Sequence, residues 1–234
     1  GSGTESINFA LKGVANSLKE KGNHIISTTI EHHAVLDTLK FLEKQGFEIT
    51  LVDVEPSGIV NPEKIKQAIT DKTILISVMY ANNEIGTIQP IKEISQIAKQ
   101  RNILFHTDAC QAANSETLDI KELGVDLLSL NGSKIYGPKG IGCLYKKSSV
   151  PIEPLIHGGG QEFNLRSGTE NIPSIIGFAK ALELAQNNKH SYKQNLTSLR
   201  DYLIKELSKI PDTILNGDSI KRIPNNVNIT FLNI

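Results

Sequence analysis

The stretch that most restricts the fold is Ser129-Leu130-Asn131-Gly132-Ser133-Lys134-Ile135-Tyr136-Gly137-Pro138-Lys139-Gly140. It places a lysine on a loop bounded by glycine and proline, directly after an apolar run typical of a buried strand. A rigid, partly desolvated loop suits a lysine that forms a Schiff base, because the amine must lose its proton to react. A lysine on a surface turn would give the same local pattern. Lys139, between Pro138 and Gly140, is interpreted as a turn residue.

Apolar runs alternate with amphipathic segments on both sides of this stretch. Strands are predicted at residues 24–27, 47–52, 73–79, 103–106, 126–130 and 142–145. Helices are predicted at residues 6–21, 34–44, 61–69, 91–101 and 171–209, the last with a polar break near Asn187-Asn188. This alternation indicates crossover connections and a mostly parallel sheet with helices on both faces. A further half-buried strand is predicted for residues 226–234.

Composition excludes several classes of protein. Lysine plus arginine and aspartate plus glutamate both total 25, so the formal net charge is zero and neither nucleic acid nor a membrane is predicted as a partner. The two cysteines, Cys110 and Cys143, lie far apart without a CxxC pattern, which argues against a disulfide framework or a zinc site and favours a cytoplasmic location. The sequence has no apolar run of membrane-spanning length.

Polar residues follow the predicted strands, at the edge where ligands bind in open α/β sheets. Asp108 could pair with a protonated pyridine nitrogen, which lets pyridoxal act as an electron sink, or it could cap a helix. His32 could stack on an aromatic cofactor and exchange protons, although paired histidines also mark ordinary loops. Because His32 and His33 are adjacent, they are poorly placed to share an ion, and no metal site is predicted.

Three further segments could hold charged groups. The helix start at Gly3-Thr4 offers free backbone N–H groups and a hydroxyl for a phosphate, or the threonine could be a simple cap. Asn83 could bind an amino-acid carboxylate or make an Asx turn. The loop from His157 to Asn171 combines glycines, hydroxyls and Arg166, which suits an anion site.

Taken together in their order along the chain, these segments resemble those of the NifS/IscS-type cysteine desulfurases. That group lies within the class V aminotransferase-like, fold-type I pyridoxal-phosphate enzymes. The resemblance runs from Gly3 to Asn228. It is carried by the blocks at residues 31–38, 82–86, 106–109, 134–140 and 166–171.

The resemblance implies pyridoxal 5'-phosphate as cofactor and gives the matching residues roles. Lys134 and His32 would be catalytic: Lys134 would form the Schiff base, and His32 would stack on the ring and could transfer protons. Asn83 would reach the ring oxygen and bind the substrate carboxylate. The implied cofactor-binding residues are Gly3, Thr4, His32, Asn83, Asp108, Gln111, Asn131, Ser133, Lys134 and Thr169.

For four of these residues, the resemblance implies which group of the cofactor they contact. Asp108 would pair with the pyridine nitrogen, Gln111 would bond the ring oxygen, and Thr4 would hold the phosphate. Thr169 would reach the phosphate in the neighbouring subunit, which implies a homodimer.

The resemblance also sets the expected architecture. We expect an α/β large domain of fold type I at residues 1–185, with a seven-stranded type of sheet. Residues 186–234 would form a long helix and the beginning of an incomplete C-terminal small domain.

The implied activity converts L-cysteine to L-alanine and passes sulfur, as a persulfide, to an acceptor or iron–sulfur scaffold protein. Neither Cys110 nor Cys143 matches the persulfide-forming position, and Cys143 is expected to be a small buried apolar residue. The persulfide-forming cysteine and the arginine that grips the substrate carboxylate are expected beyond the end of the chain, so the fragment itself is expected to be inactive. The alternatives are a selenocysteine lyase, another class V enzyme, or a non-catalytic scaffold that keeps the fold.

The phosphate-facing positions generate a prediction. Many relatives have serine where this chain has Asn131 and histidine where it has Ser133. Both residues can donate hydrogen bonds, but the charge-assisted bond of a histidine is lost. We therefore expect the full-length protein to retain cofactor less tightly than its Ser133→His variant, as measured by cofactor absorbance remaining after dialysis. Equal retention would contradict this expectation.

Overall fold

Six strands form the main sheet, in a computed structural model that describes residues 1–232. The strands are β1 (His24–Thr28), β2 (Glu48–Val52), β3 (Thr73–Ser77), β4 (Leu104–Asp108), β5 (Leu127–Asn131) and β6 (Gly142–Lys146). Their order is β2-β1-β3-β4-β5-β6, and only the β5–β6 pair is antiparallel. The loop between β5 and β6 is too short for the crossover that a parallel pair requires. The predicted mostly parallel sheet is confirmed, but residues 1–232 supply six of its strands rather than seven.

Seven helical segments accompany the sheet within residues 1–232. They are α1 (Gly3–Leu18), α2 (His33–Glu43), α3 (Pro62–Ala68), α4 (Ile91–Gln100), α5 (Ile120–Leu123), α6 (Gln161–Asn164) and α7 (Ile172–Leu207), with a 3₁₀ turn at Gly132–Ile135. Among the described residues, none of these helices combines the length and apolarity needed to cross a bilayer.

Helix α7 is continuous, so the predicted break near Asn187-Asn188 is wrong. The side chain of Asn188 donates to the carbonyl of Leu184 at 2.8 Å, which keeps this polar group satisfied within the helix. Asparagine lowers helix propensity by only about 0.7 kcal/mol relative to alanine, which cannot interrupt a long helix by itself.

Apolar side chains form a separate core on each face of the sheet. Helices α1 and α2 pack on one face, against residues such as Ile25, Leu75 and Leu127. Elements that include α3, α4 and α7 pack on the other face, against neighbours such as Ile26 and Ile76. Successive strand residues point to opposite faces, so a strand covered on both sides needs an uninterrupted apolar run. The predicted helical covering of both faces is confirmed.

Helix α1 begins at Gly3 rather than at the predicted Ser6, because the side chain of Ser2 caps it by accepting from the backbone N–H of Glu5 at 3.1 Å. Gly142, at the start of β6, allows this helix end to approach closely. A Cβ atom on Gly142 would lie 2.3 Å from the backbone carbon and oxygen of Ser2. The contact places the N-terminus of α1 beside the β5–β6 loop that contains Lys134.

The C-terminal part forms a second, two-stranded antiparallel sheet of β7 (Thr213–Leu215) and β8 (Ile229–Phe231). The strand predicted at residues 226–234 is thus shorter, and Asn233 and Ile234 lie outside the described residues. The segment between β7 and β8 returns to the main body, where Arg222 forms an antiparallel bridge with Thr87. The domain boundary at residue 185 stays a prediction.

Candidate cofactor site

Asp108, the last residue of β4, is the most buried charged group among the predicted site residues, with 6% of its surface exposed. Its carboxylate accepts a hydrogen bond from the backbone N–H of Cys110 at 2.9 Å. Burial raises the pKa of Asp108, while nearby His32 and Lys134 act in the opposite direction. The structure therefore brings His32 and Lys134, from two different loops, within electrostatic range of Asp108 at the end of β4.

Lys134 lies on the 3₁₀ turn that follows β5, with its side chain exposed and its backbone held. Its carbonyl accepts from the side chain of Asn114 at 2.7 Å. The next residue, Ile135, is buried in the apolar core with 3% of its surface exposed. The amine can therefore move while its backbone stays fixed, as a lysine that reacts with a bound carbonyl group requires.

His32 caps the N-terminus of α2, where its Nδ1 atom accepts from the backbone N–H of Ala34 at 3.0 Å. Because Nδ1 is an acceptor, the neutral ring carries its proton on Nε2. The ring is exposed, and its centroid lies 6.4 Å from that of His33. Residues 1–232 contain no group of three or more His, Cys, Asp or Glu side chains that could hold a metal ion.

Glu31, the first residue of the block at residues 31–38, is buried and was given no role by the sequence analysis. Its carboxyl oxygens accept from the hydroxyl of Thr28 at 2.7 Å and from the backbone N–H of Met79 at 2.9 Å and 3.1 Å. Burial raises the pKa of Glu31 to about 8. These bonds tie the loop before His32 to the ends of β1 and β3. The sequence signal that could have indicated this role is the spacing of three residues between Thr28 and Glu31, directly after a buried strand.

The N-terminus of α1 faces Asn131, as an anion site requires. A Cβ atom on Gly3 would lie 3.1 Å from Asn131 Cβ, 3.5 Å from its Nδ2 and 3.0 Å from Cys110 Sγ. Asn131 Oδ1 accepts from the backbone N–H and the hydroxyl of Ser133, both at 3.3 Å. The amide nitrogen of Asn131 thus stays available beside the positive end of the helix. Thr4, the second residue of α1, is exposed at the same end.

Arg166 does not provide the free positive charge that the sequence suggested for its loop. Its Nε atom donates to Glu5 Oε1 at 2.8 Å, so the arginine forms an ion pair with a carboxylate in the first turn of α1. The pair fixes the loop against the helix. Thr169, shortly after Arg166, is exposed.

Asn83 lies at the tip of the loop after β3, and Asn82 holds that loop. Asn82 Oδ1 accepts from the backbone N–H groups of Glu84 and Ile85, and its Nδ2 donates to the carbonyl of Ile30 at 2.8 Å. The Asx turn is thus made by Asn82, which leaves Asn83 half-buried and connects its loop to the one that contains His32. Within residues 1–232, no side-chain hydrogen bond forms at Asn83, Gln111 or Thr169.

A buried polar chain beneath Asp108 was missed by sequence reasoning. His106 Nδ1 lies 2.9 Å from the Ser77 hydroxyl, and its Nε2 lies 3.0 Å from the Ser129 hydroxyl. Ser129 in turn lies 2.9 Å from the Ser6 hydroxyl. Burial lowers the pKa of His106 to about 3, so the ring is neutral. The chain joins β3, β4, β5 and α1, the elements whose ends form the site. The alternation along β4 places His106 on the same side of the strand as Asp108.

Neither cysteine resembles a reactive thiolate. Burial, followed by the charge of Asp108, raises the pKa of Cys110 well above its ordinary value, and burial also raises that of Cys143. A thiol protonated at neutral pH is a weak nucleophile. Cys143 packs against the core, but it is half-buried rather than fully buried as expected.

The fold and site define an α/β protein whose lysine, buried aspartate and helix N-terminus share one edge of the sheet. The chain belongs to the class-V aminotransferase family, because the sequence profile of that family, "Aminotransferase class-V", matches residues 1–234.

Two similar proteins are named "Cysteine desulfurase IscS". The one from Clostridium botulinum (strain Hall) is 53% identical over 99% of this chain and 59% of its own length; the one from Methanosarcina thermophila is 55% identical over 98% and 57%. A solved "NifS-like protein" superimposes with a TM-score of 0.96 and is 40% identical, over 100% of this chain and 64% of its own. The resemblance to the NifS/IscS type is confirmed. The chain spans less than two thirds of each of these relatives.

The buried carboxyl group of Glu31 generates a prediction about pH. Its pKa of about 8 lies above the ordinary value of 4.5, so between these pH values the folded state binds a proton that the unfolded state releases. This stability contribution is full below pH 4.5 and is lost as the pH rises through 8. We expect the free energy of unfolding to fall by up to ~1.4 kcal/mol per pH unit across this window, relative to Glu31→Gln.

Chemical denaturation of the full-length protein from pH 5 to 9 measures this difference. The exposed Glu20→Gln variant is the matched control and should follow the wild-type curve. Parallel curves for the wild type and Glu31→Gln would show that Glu31 is ionised in the fold.

Proposed function

We propose that the protein containing this chain is a pyridoxal-phosphate-dependent cysteine desulfurase, which converts L-cysteine to L-alanine and transfers the sulfur as a persulfide. The main observation behind the proposal is that His32 and Lys134 lie near Asp108, at the edge of the sheet where α1 begins. The IscS relatives support the reaction type. A solved relative described as SspA in complex with cysteine, 37% identical with a TM-score of 0.86, supports the substrate.

The residues present fit the cofactor in three respects. A buried carboxylate needs a cationic partner, which a protonated pyridine nitrogen would supply to Asp108. A helix N-terminus beside the amide of Asn131 suits a phosphate. The exposed amine of Lys134 lies on a fixed backbone and can reach a carbonyl group. When bound, pyridoxal phosphate supplies an electron sink that stabilises negative charge on the substrate α-carbon.

The chain's own residues would bind and orient the cofactor and substrate and would transfer protons. Asp108 would keep the pyridine nitrogen protonated, and His32 would stack on the ring from the start of α2. Lys134 would hold the cofactor covalently and move protons at its Nζ atom. The remaining groups would orient cofactor and substrate: Gly3, Thr4, Asn131 and Ser133 at the phosphate, Gln111 at the ring oxygen, and Asn83 at the ring oxygen and the substrate carboxylate.

The sulfur-accepting nucleophile would come from a residue outside this chain. Burial keeps Cys110 and Cys143 protonated, so neither suits attack on the substrate sulfur. We further propose a homodimer, in which the exposed Thr169 reaches the cofactor phosphate of the partner subunit. A sulfur-acceptor or iron–sulfur scaffold protein would receive the persulfide, in a reducing cytoplasm suited to free thiols.

Turnover of L-cysteine by the full-length protein tests the proposal. With pyridoxal phosphate and a thiol reductant, we expect alanine and sulfide in equal amounts. We expect Lys134→Ala to lower this rate by at least about a hundredfold, because it removes the group that transfers protons. Lys139→Ala, on the same loop, is the matched control and should retain most of the rate.

Two outcomes would contradict the proposal in different ways. A kcat/KM for selenocysteine far above that for cysteine would favour a selenocysteine lyase. No turnover together with no cofactor binding would favour a scaffold that retains only the fold.

A further inference from the structure

The loop that contains Asn83 is the turn of a small hairpin. The backbone N–H of Asn82 donates to the carbonyl of Thr87 at 2.9 Å, and the N–H of Gly86 donates to the carbonyl of Asn82 at 3.1 Å. Ala81 and Ile88 form an antiparallel bridge at the base of the hairpin. Asn83 therefore projects from a closed turn rather than from a free loop.

The segment at residues 221–223 pairs with this hairpin through an isolated antiparallel bridge, although it lies more than a hundred residues away in sequence. The N–H of Ile88 donates to the carbonyl of Lys221 at 2.8 Å, and the N–H of Ile223 donates to the carbonyl of Gly86 at 2.9 Å. The C-terminal part of the chain is thus hydrogen-bonded along the flank of the Asn83 turn.

Two asparagine side chains extend from this segment to the turn itself. Asn226 Nδ2 donates to the carbonyl of Glu84 at 2.8 Å, and Asn228 Nδ2 donates to the same carbonyl at 3.1 Å. Glu84 directly follows Asn83, so both bonds fix the peptide between residues 84 and 85, one residue beyond the proposed substrate-binding Asn83. The turn has no spare room: a Cβ atom on Gly86, where φ is +73°, would lie 2.7 Å from Asn226 Oδ1.

Arg222 sets the orientation of the Asn226 amide. Arg222 is 1% exposed, and its guanidinium donates to Asn226 Oδ1 at 3.2 Å, to the Asp218 carbonyl at 2.9 Å and to the Asn216 carbonyl. Since the oxygen of the amide is bound by the arginine, its nitrogen must face Glu84. The buried arginine thereby aligns Asn226 with the turn.

We propose that Asn226, oriented by Arg222, is a positioning residue for Asn83, so that binding of the substrate carboxylate depends on the segment at residues 221–228. The inference rests on the proposed function, in which Asn83 binds that carboxylate. Losing a donor to Glu84 would let the turn fluctuate, and substrate affinity would fall while the cofactor contacts of Asp108 and Lys134 stay intact.

The test compares Asn226→Ala with Asn225→Ala in the full-length protein. Asn225 is exposed, and its side chain makes no hydrogen bond in the part of the chain that the structure describes, so it is a matched control. In Asn226→Ala we expect amide hydrogen exchange at residues 82–87 to accelerate severalfold, measured without substrate. We expect KM for L-cysteine to rise roughly three- to tenfold, the equivalent of one hydrogen bond, with kcat little changed.

Unchanged exchange in Asn226→Ala relative to Asn225→Ala would overturn the proposal, as would faster exchange with an unchanged KM. If Asn226→Ala fails to fold, Asn228→Ala decides, because it removes the longer of the two bonds to Glu84, together with the bond that Asn228 Oδ1 accepts from Asn216 Nδ2 at 2.8 Å, and leaves Asn226 and Arg222 in place. Smaller shifts of exchange and KM in the same direction would support the proposal, and no shift would overturn it. A wild-type protein without cysteine turnover would refute the proposed function instead, while the exchange data would still report whether Asn226 holds the turn.

Discussion

Burial of the Asp108 carboxyl group at the end of β4 is the constraint on which the rest of the site depends. A carboxylate with so little access to water is unfavourable unless cations or hydrogen bonds compensate it, and its raised pKa reflects that cost. The charge of Lys134 compensates in part. The remaining demand for a cationic partner is what makes a protonated pyridine nitrogen suitable there.

The parallel sheet brings these groups together, because consecutive parallel strands end at one edge. Beneath that edge, two buried polar arrangements hold the strand ends in place: the Glu31 carboxyl group between β1 and β3, and the chain through His106 from β3 to α1. Above the edge, the 3₁₀ turn presents Lys134 and the start of α1 presents free N–H groups. The chain as a whole carries no net charge, so any attraction for a phosphate must come from a local arrangement such as this one.

Local sequence was enough for the parts of the fold that depend on apolar periodicity. The six strands and the long helices fell close to their predicted positions, and Asp108 and Lys134 could be placed at strand ends. The misses depend on contacts distant in sequence. Nothing near Arg166 shows that it pairs with Glu5, and nothing near Asn226 shows that it holds Glu84. Such pairings leave no periodic signal in the sequence. The error at Asn187-Asn188 has a different cause: two polar residues were read as a break, but the helix continues through them.

The central claim is that Lys134 is the lysine that this edge of the sheet presents to a carbonyl cofactor. The most direct measurement is the visible absorbance of the full-length protein with pyridoxal phosphate, followed by borohydride reduction and peptide mapping. The account predicts a violet-region band and a reduced adduct on the peptide at Lys134. An adduct at Lys139 alone, or no band at all, would contradict it.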